Sequence, residues 1–326
     1  MRWISQLDIG SACLSAIFNG EDAKFVSLDG LLVTLTELGR CECPLHDGDI
    51  LATVDLAGPM GGTVLTAGED GNVMMTGQQN APEQLASVGR WVSCLAAQPE
   101  GAIAYASGRN VYLRDSSASL HSMQTSGPVQ ALAFNHQGDQ LAIGLFDRLL
   151  VCQLSTLEIT IEIEWKGVPT RVAFSPDDRF LIVACRDALL YGWRLDSQRR
   201  FRMLGYSRPV SAWSWSADGE WLVTDAGAQA VMWPFDGQDG PMGRVPVTLG
   251  ERPTSEVSTV ECHPSRHWVA LGYADGLMLL QSAEGDAPKV LGRSTGGPVT
   301  CLRWHESGEL LAYGTENGQC GTIAIA

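Results

Sequence analysis

One phrase recurs along this chain at a nearly constant interval, and it constrains the fold more than any other feature. A small or apolar anchor is followed three residues later by an apolar one, then by a bulky one, then by a turn. It reads Val129-Gln-Ala-Leu-Ala-Phe134 before Asn135-His-Gln-Gly-Asp139, and Val210-Ser-Ala-Trp-Ser-Trp215 before Ser216-Ala-Asp-Gly219. A third copy reads Val299-Thr-Cys-Leu-Arg-Trp304 before His305-Glu-Ser-Gly308, and weaker copies end at Phe18, Leu56, Ala97, Phe174 and Cys262. The eight end points are spaced by 38, 41, 37, 40, 41, 47 and 42 residues, a mean near 41. A fixed period of that length marks a repeat architecture, in which each unit buries its apolar faces only against its neighbours.

The repeat has internal structure. Seven residues after most end points a second apolar run is under way, at Phe25, Leu141, Leu181, Leu222, Val269 and Leu311. Thirteen residues after come Asn110, Asp147, Asp187, Asp275 and Asn317, with Asp29 and Asp70 within two places of that position. Alternating runs such as Leu189-Leu-Tyr-Gly-Trp193 and Ala230-Val-Met-Trp233 then follow. Period-two alternation punctuated by Asp, Asn and Gly every eight to twelve residues predicts β-strands throughout. No segment sustains a 3.6-residue period.

Spacing and strand pattern together resemble the WD40 repeat family, in which each repeat forms a four-stranded propeller blade. The resemblance covers essentially the whole chain. Trp193 and Trp233 stand where the family keeps its third-strand tryptophan, and His46 is the one candidate for its Gly-His pair. The resemblance implies an all-β, closed β-propeller of four-stranded antiparallel blades, a single domain over residues 1–326 and a build like that of stand-alone prokaryotic members. Eight blades fit the eight copies. Seven blades with a stray repeat is the alternative, since the first three copies are the least regular. After Trp304 only 22 residues remain, enough for two strands, so the N-terminal run Arg2-Trp-Ile-Ser-Gln-Leu7 is expected to supply the fourth strand of the last blade. Pairing the termini in one blade removes an unpaired edge. The polar loop Asp236–Gly243 is placed after the third strand of the sixth blade.

Charge and cysteine content narrow the functional classes. Lys and Arg number 22 against 37 Asp and Glu, a net charge of −15. Phosphate backbones and anionic membrane surfaces repel such a chain, so no nucleic acid and no membrane is expected as partner. Nine scattered cysteines, the absence of a leader-like apolar run after Met1 and the absence of a spanning segment predict a cytoplasmic protein with reduced thiols. Nucleophile elbow, P-loop, H-E-x-x-H and dinucleotide fingerprints are all missing. The recurring turn aspartates sit where a turn wants a side chain that bonds its own backbone. A non-catalytic reading follows, with a lactonase-like hydrolase as the third alternative because some propellers are enzymes.

Two constellations remain. Cys41-Glu-Cys43-Pro-Leu-His46 puts two thiols on one face of a strand with a histidine three residues on, a set that suits zinc in a metal-binding or metal-delivery accessory. Cys262-His263 with His267 is a looser grouping, and Cys13, Cys94, Cys152, Cys185 and Cys301 read as small buried hydrophobes. The second constellation lies in the loops that lead into each first strand, the rim where propellers bind partners. Those loops carry Arg90-Trp91, Trp165-Lys166, Tyr206 with Arg208, Arg252 and Arg293, a composition enriched at interaction hot spots. His46, Asp47 and Asp49 interrupt the positive series. The expectation is a scaffold that binds an acidic protein or peptide through these loops. Among the tryptophans, Trp213, Trp215 and Trp304 are assigned to the core, Trp221 and Trp268 to packing, and Trp91 and Trp165 to exposed positions.

Overall fold

The computed structural model describes residues 2–36, 39–56, 61–77 and 81–325. They form 32 strands in eight separate four-stranded antiparallel sheets, the blades of a β-propeller. Blade 1 comprises Cys13–Asn19, Asp22–Ser27, Leu31–Thr36 and Gly39–Pro44, paired in that order. Blades 2 to 7 repeat the pattern over residues 50–87, 94–124, 129–164, 169–203, 213–249 and 257–293. Blade 8 takes Val299–Trp304, Leu310–Thr315 and Gln319–Ala324, and its fourth strand is the N-terminal Arg2–Asp8, antiparallel to Gln319–Ala324 with Asp8 opposite Gln319. The eight-blade count and the shared terminal blade are thus as the repeat spacing predicts. Seven of the eight end points are the last residue of a first strand, and the loop at 236–243 follows the third strand of blade 6.

The chain divides into two compact units. One holds residues 1–42 and 205–326 and the other residues 43–204. Within each, burial explains why the strands read as they do. Second strands are packed on both faces, so Phe180–Cys185 and Thr63–Gly68 are buried at every residue. Fourth strands lie at the sheet edge, and Gly39–Pro44 and Pro82–Ser87 are largely exposed. In blades 1, 2, 4, 5, 7 and 8 the first strand slips register near its start, a bulge after which the ladder resumes. The bulged residue reaches the next blade: Ser258 Oγ donates to Val299 O at 2.7 Å and Thr300 Oγ1 to Cys13 O at 2.5 Å.

In blades 4 to 7 the turn after the first strand is closed by a side chain. Asn135 Oδ1 accepts from the Asp139 and Gln140 amides, and the Ser175 and Ser216 hydroxyls accept from Phe180 and Trp221. His263 does the same work, its Nδ1 accepting from the Ser265 and Arg266 amides while Nε2 donates to Gly308 O at 3.1 Å. The Cys262/His263/His267 grouping is therefore a turn device: His263 is buried with both nitrogens committed.

Candidate lead-in loop surface

The loop into each first strand must leave one blade and start the next, and one position in it carries that task. Four residues before the first-strand anchor stand Ile9, His46, Val88, Thr125, Trp165 and Tyr206. All but Val88 are buried. The backbone amides of Ile9, Val88, Thr125 and Trp165 bond back, each at 2.9 Å, to carbonyls in the turn between second and third strands of the blade just completed: Gly318, Gly71, Arg109 and Asp147. Where the side chain is large or polar it points forward. His46 is held between Asp70 Oδ1 at 3.0 Å from Nδ1 and Thr66 Oγ1 at 2.8 Å from Nε2. Tyr206 Oη meets Thr224 Oγ1 at 3.0 Å and accepts from Trp233 Nε1 at 2.6 Å. Trp165 packs edge-on against Tyr191 and Trp193, with ring centroids at 5.1 and 5.9 Å.

This position corrects three expectations. Trp165, assigned to an exposed place, is only 4% exposed, and Tyr206 is buried with its phenol pushed well above the usual range by burial. Both are inter-strand staples rather than partner contacts. His46 has both ring nitrogens engaged inside blade 2 and is not available to complete a zinc site, whereas Cys41 is exposed and Cys43 half-buried. Among the described residues no three His, Cys, Asp or Glu side chains form a group that could hold a metal ion. Burial pushes the Asp70 carboxyl up, but the Asn72 amide and the His46 ring outweigh it and hold Asp70 below the ordinary carboxylate value.

The five lead-in cations divide by environment. Arg208 Nη2 lies 2.8 Å from Asp225 Oδ2, whose carboxyl is fully buried and also accepts from Ser211 and Ala212, and Arg208 Nε lies 3.3 Å from Glu256. Arg252 grips Asp275 with two bonds, at 3.0 and 2.9 Å, while its guanidinium stacks 4.8 Å over Tyr273. Arg293 adds a third contact to Asp275 at 3.0 Å. The Arg252 guanidinium holds Asp275 far below the ordinary carboxylate range. Arg208, Arg252 and Arg293 are thus engaged within their own unit, a correction to their reading as a free positive series.

Residues 43–204 differ. Arg90 and Lys166 are exposed and make no ion pair among the described residues, and Trp91 is 64% exposed. The turns between second and third strands share this end of the blades, because Gly167 N bonds Phe146 O at 3.3 Å and Arg186 N bonds Val168 O at 3.1 Å. They add Phe146, 61% exposed, and exposed Arg109 and Arg186. Sequence reading missed these three because it considered only lead-in loops. A large apolar residue directly before the turn Asp147 was the available signal. The acids here include Asp47, Asp49 and Asp187, with Asp70 tied to His46 and Asp147 to Arg148.

Comparisons with known proteins agree with the fold. The family model "WD domain, G-beta repeat" matches residues 162–194, which span the end of blade 4 and the first three strands of blade 5. No curated protein sequence matches the chain. Among solved structures, the crystal structure of the computationally designed Ika8 protein is similar over 98% of each chain at 18% identity, with a TM-score of 0.77, a likeness of fold.

Proposed function

We propose that this chain, an eight-bladed propeller carrying a WD40 repeat, is a non-catalytic scaffold that binds an acidic protein or peptide at the loop end of residues 43–204. The WD40 match supports protein interaction as the general role, since propellers of this kind typically serve as interaction platforms. The observation that carries the finer reading is the presence, at this end of the blades, of two exposed aromatics, Trp91 and Phe146, and of four exposed cations with no ion pair among the described residues, Arg90, Arg109, Lys166 and Arg186. In a chain of net charge −15, exposed cations on the same loop end as exposed aromatics favour an acidic partner with an apolar contact. Nine free cysteines support a cytoplasmic setting.

Affinity capture from native cytosol tests this, comparing wild type with Arg90→Glu/Lys166→Glu, with Trp91→Ala, and with Arg202→Glu on the exposed fourth strand of blade 5. A protein held by wild type and Arg202→Glu is expected to be lost from the first variant and weakened at least about tenfold in the second, the effect of one hot-spot residue. Equal capture by all four forms would refute this surface. Arg208→Glu is unsuitable as a probe because it unpairs buried Asp225.

A further inference from the structure

Cys301 and Cys320 flank Gly314 across blade 8. In the strand registers Cys301 lies opposite Gly314, and Gly314 lies opposite Cys320. The three residues therefore form one line across the sheet, on one face. Gly314 has no side chain, and Cys13 from blade 1 fills the space: a methyl group on Gly314 would clash with Cys13 Sγ and lie 2.9 Å from Cys301 Sγ. Cys13 Sγ is 3.6 Å from Cys301 Sγ, and Cys320 is also within hydrogen-bonding reach of it. The neighbouring Thr300 hydroxyl fastens the Cys13 carbonyl, so both backbones are held at this point.

We propose that Cys13 and Cys301 form a reversible disulfide when the protein meets a peroxide, with Cys301 oxidised first, so that blade 1 becomes covalently fastened to blade 8. Bridging needs the sulfurs to approach from 3.6 Å to about 2 Å, within the range of side-chain rotation. Exposure orders the steps. Cys301 is half-buried, whereas Cys13 and Cys320 are buried. The Cys301 sulfur attacks one peroxide oxygen, the O–O bond breaks, and sulfenic acid and one water (or alcohol) result. The Cys13 thiol then attacks that sulfur, the S–O bond breaks, the hydroxyl leaves with the thiol proton as a second water, and the S–S bond forms. The peroxide is reduced by two electrons and the thiol pair oxidised by two. Hydrogen bonds from its two thiol neighbours, with burial, hold Cys13 well above the usual thiol value, which disfavours it as the first attacker on peroxide. A dithiol reductant reverses the bridge, as expected of a thiol pair in a reducing compartment.

The experiment treats the full chain with hydrogen peroxide, then denatures it, alkylates free thiols and maps peptides without reduction. Expected is one cross-linked species joining the Cys13 and Cys301 peptides, with alkylated cysteines falling from nine to seven and dithiothreitol restoring all nine. The link should persist in Cys41→Ser/Cys43→Ser and in Cys320→Ala, and Cys301→Ala should leave Cys13 fully alkylatable. The bridged chain should unfold in urea at least tenfold more slowly than the reduced chain. Sulfinic acid at Cys301 with Cys13 free, a Cys13–Cys320 link instead, or nine alkylatable thiols after treatment would each overturn the proposal.

Discussion

Replacing His46 by alanine separates its two possible roles. The side chain is fully buried and its two nitrogens serve Asp70 and Thr66. Alanine removes a bond to a neutral hydroxyl, worth about 1 kcal/mol, and one to a carboxylate, worth about 1.5–3 kcal/mol. It also leaves Thr66, 1% exposed, with its hydroxyl unmatched, and a cavity of imidazole size. We expect a net loss of about 3 kcal/mol, which for a chain of 326 residues corresponds to a fall in Tm of about 4 °C. Scanning calorimetry with and without a chelator measures it. The staple role predicts that His46→Ala lowers Tm by that amount under both conditions and that chelator leaves wild type unchanged. A chelator-induced drop in wild type that matches the variant, or a Tm for His46→Ala within a degree of wild type, would refute the argument.

Three further outcomes follow from buried or paired charge. Burial pushes the Lys24 ammonium down to about 8, so the cost of its charge is full below that pH and fades as pH rises toward the unfolded value; urea unfolding should therefore show a rise in stability between about pH 8 and pH 10 that Lys24→Met abolishes. Burial also lowers the His263 value, so the folded state binds fewer protons than the unfolded one and stability falls as pH drops below the ordinary histidine value. His263→Asn, which keeps an acceptor for the turn as Asn135 does in blade 4, should flatten the Tm profile between pH 7.5 and 5, and an unchanged slope would exclude His263 as its source. Arg208→Ala should cost about 2–4 kcal/mol by stranding Asp225, while Arg90→Ala should stay within about 0.5 kcal/mol, and equal unfolding midpoints would contradict the environments described for the two arginines.

Much of the fold was legible because its determinants are local. Strand alternation, turn residues and a period near 41 all act within one repeat, and each repeat makes the same demand on its neighbour. The shared terminal blade was legible for the same reason, since the residues left after Trp304 were too few for a fourth strand. The site was less so. Trp165, Tyr206 and His46 occupy one position in three of the lead-in loops, and only the structure shows that their side chains turn inward; the Trp165 amide bonds the finished blade while its ring packs on the next.

By itself, the sequence determined the fold class, favoured eight blades over seven and placed both termini in one blade. Each rests on contacts between residues a few tens of positions apart whose pattern repeats. Tertiary structure decided which cations are free. Arg208, Arg252 and Arg293 meet acids 17 to 48 residues away, and nothing in their local sequence distinguishes them from Arg90 and Lys166. It also brought Cys13 to Cys301, 288 positions apart, because antiparallel register placed a glycine between two cysteines and a neighbouring blade filled the gap. Side-chain direction and long-range neighbours depend on register and blade packing, and a linear pattern specifies neither.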